Sequence, residues 1–158
     1  DPAHIGHLAI SKEAKRRFDL KKIIWAITKK NPFKDESKTS LSKRIKDCKK
    51  IIRLNQFIKV KFYEDIIKSN KTIDLINYLK KNDGIEIYFL MGADNLINFH
   101  KWHKSKSILQ KCNILVFDRH GYKKNSLKSK TFKSLNKDSL TFVEFKKVNI
   151  SSSQLRKI

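Results

Sequence analysis

Apolar residues fall into two alternating patterns along the chain. Short runs rich in β-branched and aromatic residues, at Lys22 to Thr28, Ile58 to Tyr63, Ile85 to Met91, Asn113 to Asp118 and Thr141 to Lys146, predict strands. Between them, Ile5 to Phe18, Ser40 to Leu54 and Thr72 to Lys80 carry apolar residues at helical spacing. Leu41, Ile45, Cys48 and Ile52 share one face of the second segment, and Ile73, Ile76 and Leu79 one face of the third. Shorter helices fit Leu96 to His100, Ser105 to Gln110 and Ser152 to Lys157. Helices alternating with nearly continuous apolar strands predict an α/β fold, a mostly parallel sheet with helices on both faces. Such a sheet offers its ligands the crevice at the carboxyl ends of its strands. The pattern opens with a helix, and the Lys/Ser/Asn-rich segment from Lys123 to Lys137 reads as an exposed loop.

Composition narrows this picture. With 158 residues, 39% of them hydrophobic, the chain is expected to form one domain over residues 1–158 with a sizeable core, and a disordered tail is excluded. Every apolar run is interrupted well short of the ~18 residues a membrane span needs, so a soluble protein is expected. The start, Asp1-Pro2-Ala3-His4, has neither an initiator Met nor the pattern of a signal peptide. Cys48 and Cys112 lie far apart, without CxxC or Cys/His spacing, which argues against a zinc site and a secreted disulfide scaffold and favours a reducing cytoplasm. The net charge of +22 alone would suggest nucleic acid or an anionic membrane as partner. However, the basic residues are mostly Lys and spread over the whole chain, which reads as solvated faces. A small polyanionic substrate would be drawn equally well.

Three clusters carry candidate chemistry. In Asp1-Pro2-Ala3-His4-Ile5-Gly6-His7, two histidines stand at a helix start, with Gly6 allowing close backbone approach. Imidazoles, unpaired N–H groups and the positive end of the helix dipole together suit a phosphate. The plainer alternative is a helix-start pair of solvent-facing or capping histidines. In Ile150-Ser151-Ser152-Ser153-Gln154-Leu155-Arg156, serines at a helix start and the fork of Arg156 one turn later also suit a phosphate, while the plainer reading is a Ser152 cap. In Met91-Gly92-Ala93-Asp94-Asn95 and Phe99-His100-Lys101-Trp102-His103, a carboxylate just past a buried strand lies near an indole that could stack on a ring. There the plainer alternative is an N-cap at Asp94 and a core Trp102. Lys34, in the turn Asn31-Pro32-Phe33-Lys34, could point into the same crevice.

In this order, DPAHIGH, WAITKKNPFKD, KTIDLINYL, MGADNLINFHKW and VNISSSQLRK resemble the HxGH/ISSTxxR nucleotidyltransferase superfamily, and within it the bacterial nicotinate-nucleotide adenylyltransferases. The resemblance spans nearly the whole chain. It implies a Rossmann-like fold and adenylyl transfer from ATP to nicotinate mononucleotide, by direct attack of the 5′-phosphate on the α-phosphorus. By position, His4 and His7 would contact the ATP phosphates, and Ser152, Ser153 and Arg156 would hold the triphosphate from the other side. Gly6, Lys34 and Asp94 would complete the ATP side, while Thr72, Trp102 and His103 would form the mononucleotide side. Mg2+ would bridge the phosphates through substrate oxygens and water, with no dedicated protein ligand. Family members begin with a strand of the GIFGGTFDP type, and this chain starts after it.

Ser153 stands where Thr is common and Leu155 where Ile is common, both conserving the local chemistry. Lys71 and Leu75 replace Tyr and Thr in the substrate-recognition segment. Transfer to nicotinamide mononucleotide or phosphopantetheine, a basic nucleic-acid-binding module and an inactive remnant are the alternatives.

Overall fold

The computed structural model describes residues 3–29, 40–118 and 139–144, and these form two compact units, one within residues 3–68 and the other within 69–144. Lys34, Ser152, Ser153, Arg156 and the helix expected over Ser152 to Lys157 lie outside the described residues.

The first unit begins with helix α1, Ile5–Phe18, whose Asp19 C-cap adopts a left-handed conformation and turns the chain into strand β1, Ile23–Ala26. Helix α2, Leu41–Ile52, starts at Ser40, whose Oγ accepts the Lys43 N–H (3.2 Å) and satisfies one of the open donors of the first turn. Strand β2, Ile58–Lys61, pairs parallel with β1, Ile23 facing Ile58 and Ala26 facing Lys61. A one-turn helix α3, Glu64–Ile67, follows. The sequence pattern does not announce it, because a single exposed turn has no period to read. Ile23, Ile52 and Ile58 are buried together, with Leu8, Trp25 and Val60 packed against them.

The second unit runs from helix α4, Thr72–Asp83, through strand β3, Tyr88–Gly92, and helix α5, Ala93–Leu96. A 3-10 turn at Phe99–Lys101, helix α6 at Ser105–Lys111, and strands β4, Asn113–Asp118, and β5, Leu140–Glu144, complete it. The sheet order is β3-β4-β5, parallel throughout, with Tyr88 facing Asn113 and Ile114 facing Leu140. Ile114, Leu115, Val116 and Phe117 are all buried, as a strand flanked on both sides and covered on both faces requires. Ile73 and Ile76 of α4, Ile108 of α6, Met91, Leu96 and Phe99 close over this strand in one apolar cluster. The mostly parallel α/β organisation expected from the pattern is thus observed in both sheets. Ile85 to Ile87 stay outside β3, and Ile85 is exposed.

Candidate active site

The N-terminal end of α1 is built by its two histidines. His4 is the N-cap, and its Nδ1 accepts the Gly6 N–H (3.0 Å), while His7 Nδ1 accepts the His4 N–H (3.1 Å). This is a capping box in which imidazoles do the work usually done by Ser and Glu. A neutral imidazole that accepts at Nδ1 carries its hydrogen at Nε2, so this pattern makes each histidine an Nε2–H donor. The rings lie 4.1 Å apart between centroids, with His4 buried and His7 half-buried. Gly6 is buried between them, its amide taken up by the cap. Capping and phosphate binding, alternatives in the sequence, use different nitrogens here and are compatible.

Behind His7, Ser11 is buried and its Oγ donates to the His7 carbonyl (2.8 Å). The same oxygen accepts the indole N–H of Trp25 in β1 (2.9 Å), whose ring stands edge-on to His7 at 6.1 Å. The end of α1 leads to the start of β1, so helix and strand run antiparallel. The first turn of α1 therefore lies toward the carboxyl end of β1, the end at which parallel sheets receive ligands.

That carboxyl end is fixed separately. Arg44 of α2 is buried and donates through Nη1 to the Thr28 carbonyl (2.7 Å) and through Nη2 to the Lys29 carbonyl (2.9 Å). Glu64 accepts the Lys29 N–H (3.1 Å), and the Lys29 ammonium pairs with Asp65 at 2.7 Å, which holds its pKa above the usual lysine range. From this pinned point, five residues of chain lead to Lys34. The pattern of α2 did not disclose Arg44, whose charged side chain shares the buried face with Cys48 and Ile52.

In the second unit, the carboxyl end of β3 runs directly into α5. The N-cap there is Gly92, not Asp94. The cap expected as the plainer reading of Asp94 is corrected because β3 extends to Gly92, which puts Asp94 inside the first helical turn, half-buried. Trp102 packs edge-on to Phe89 (5.8 Å) and tilted against Phe99 (5.0 Å), half-buried beside the apolar cluster. His103 is exposed, and Thr72 is the first residue of α4. Ser69 braces that helix start, accepting the Lys71 N–H (3.0 Å) and donating to Asp74 (2.6 Å). Among the described residues, no three His, Cys, Asp or Glu side chains converge as a metal site, and no helix is long and apolar enough to cross a membrane.

The sequence profile of the cytidylyltransferase-like family matches residues 1–158. The chain belongs to this family. It is 70% identical to a probable nicotinate-nucleotide adenylyltransferase of Pelagibacter ubique over 158 residues, all of this chain and 88% of that protein. It is 30% identical to a protein of the same description from Aquifex aeolicus, over 98% of this chain and 95% of the relative. Among solved structures, a Plasmodium falciparum nicotinic acid mononucleotide adenylyltransferase complexed with NaAD superposes with a TM-score of 0.73 at 20% identity, over 96% of this chain and 75% of that one. The same enzyme complexed with APC gives 0.75 at 19% identity, over 99% of this chain and 77% of that one. This family member therefore has the Rossmann-like nucleotidyltransferase fold that its motifs implied.

Proposed function

We infer that the protein transfers the adenylyl group of ATP to nicotinate mononucleotide, forming nicotinate adenine dinucleotide and pyrophosphate. A 5′-phosphate oxygen of the mononucleotide attacks the α-phosphorus, and the bond from that phosphorus to the bridging oxygen breaks. The electron pair leaves with pyrophosphate. No covalent link to the protein forms, so its contribution is alignment and neutralisation of crowded negative charge.

The observation that carries this reading is the reciprocal histidine cap, which fixes two Nε2–H donors at a helix N-terminus. In this reading His7, the more open of the two, donates to phosphate oxygens as charge builds on them, with His4 beside it. Gly6 keeps the backbone low enough for the phosphates to approach. Lys34, Ser152, Ser153 and Arg156 hold the triphosphate, Asp94 faces the nucleotide, and Thr72, Trp102 and His103 receive the nicotinate half. A divalent cation such as Mg2+ would enter with the triphosphate rather than on a dedicated protein site, and would supply neutralisation of phosphate charge. The net charge of +22 attracts two polyanionic substrates without need of a nucleic-acid partner. A cytoplasmic location agrees with free, buried Cys48 and Cys112.

The test incubates the chain with Mg-ATP and either nicotinate or nicotinamide mononucleotide and separates the dinucleotides chromatographically. Product from the nicotinate substrate is expected, and product from nicotinamide mononucleotide alone would move the specificity. Dinucleotide from neither would overturn the assignment. Replacing His7 by Ala is expected to lower turnover by about 10² to 10³, the scale of losing one transition-state donor. Unchanged turnover would remove His7 from the mechanism.

A further inference from the structure

We propose that Ser11 and Trp25 are positioning residues for His7, forming a hydrogen-bonded relay from β1 to the first turn of α1 that sets the direction of its Nε2–H donor. The proposal rests on the adenylyl-transfer reading for its consequence, but not for its geometry. Ser11 is 3% exposed, and its single hydroxyl is used twice, donating to the His7 carbonyl and accepting from the Trp25 indole.

The indole N–H of half-buried Trp25 is shielded enough to favour a protein partner, and a serine in a helix interior would ordinarily spend its hydroxyl only on the preceding turn. Here each group answers the need of the other. The bond joins residues fourteen apart in sequence, tying the helix to the strand. The Ser11 hydroxyl, the Trp25 ring and the His4 amide then restrain His7 at its carbonyl, its ring and its inner nitrogen. The remaining freedom of the imidazole is small, and Nε2 is left pointing one way. Donors held in this manner reorganise little as charge develops.

Phenylalanine at position 25 keeps a ring edge near His7 and removes only the N–H. Alanine at position 11 removes the hydroxyl, and threonine restores it. In Trp25→Phe and Ser11→Ala, turnover is expected to fall about tenfold with KM for Mg-ATP changed less than about twofold, and Ser11→Thr to recover most of the loss. In a His7→Ala background, the same substitutions should cost less than about twofold, because they act through a group already gone. Equal losses in both backgrounds would show a general structural role and overturn the proposal.

Two-bond proton–nitrogen spectra of the histidine rings, recorded without substrate, give a readout independent of activity. The parent should show His7 as the separated Nδ1-acceptor, Nε2–H form, and both variants should move toward the averaged position of two tautomers. A His7 spectrum identical in parent and variants overturns the proposal whatever the kinetics show. If the parent makes no dinucleotide but the spectra shift as expected, the adenylyl-transfer reading fails and the positioning relay stands.

Discussion

In the unit from Ser69 to Lys146, apolar side chains from α4, β3, α5, α6 and β4 close into one buried cluster around Ile114 and Val116, with few side-chain hydrogen bonds among them. In the unit holding α1, β1, α2 and β2, the corresponding cluster is Ile23, Ile52 and Ile58, and the surrounding buried positions include His4, Ser11 and Arg44. The first arrangement draws its stability from area removed from water, which is non-directional. The second spends buried space on hydrogen bonds, whose net stabilisation is modest but whose geometry is specific. Among the described residues, candidate donors stand where direction is specified, beside the cluster of Ile23, Ile52 and Ile58. The cluster around Ile114 and Val116 supports a strand end, its first helical turn at Asp94, and the ring of Trp102.

Substitutions can break this contrast. The largest effect on stability is expected from Phe99→Ala, since Phe99 is fully buried in the apolar cluster. A loss of about 3 to 5 kcal/mol should appear as a lower urea midpoint. Arg44→Ala should cost less, about 2 kcal/mol for two charge-assisted bonds to carbonyls, yet depress activity more than its stability loss explains. It frees the strand exit that leads to Lys34, and Arg44→Lys should rescue little, as an ammonium cannot fork to Thr28 and Lys29 together. Activity measured well below the unfolding midpoint checks this. If activity falls only in step with the folded fraction, Arg44 belongs with the apolar core and the contrast weakens.

The smallest effect concerns Cys112, whose thiol burial pushes up to about 11 from 9.0. The folded state therefore holds the proton more tightly than the unfolded chain. Its contribution to stability is fully present below about pH 9 and is lost as pH rises toward 11. Cys112→Ala should flatten that part of the alkaline unfolding profile. An unchanged profile would assign the alkaline loss to other groups.

The limits of what the sequence discloses follow the same division. Helix α1 and strand β4 have the bounds their patterns predict, because long periodic runs and continuous apolar runs are strong local signals. The sequence pattern starts the third strand at Ile85, but β3 begins at Tyr88, since apolar character there does not coincide with burial: Ile85 is 39% exposed. The HxGH positions were legible as a helix start, while their phosphate-binding chemistry belongs to the proposal. That one imidazole could serve both purposes depends on which nitrogen faces the backbone, and no spacing contains that information. Ser11 and Arg44 were hidden for a related reason. Each is a polar residue in an ordinary helical pattern, given meaning by a partner on β1 or in the chain just after it.

Among the described residues, three without glycine's freedom, Asp19, Lys68 and Lys104, hold left-handed backbone conformations with φ of 50°, 52° and 51°. In a chain with only four glycines, the abundance of lysine thus reaches past the surface charge into the backbone itself. Each such lysine stores strain on the order of 1 kcal/mol. Lys68 closes α3 and Lys104 opens α6, and both side chains are exposed. The strain is therefore a reserve: glycine at Lys68 would relax that turn without entering a core, a gain partly offset by the greater freedom glycine gives the unfolded chain.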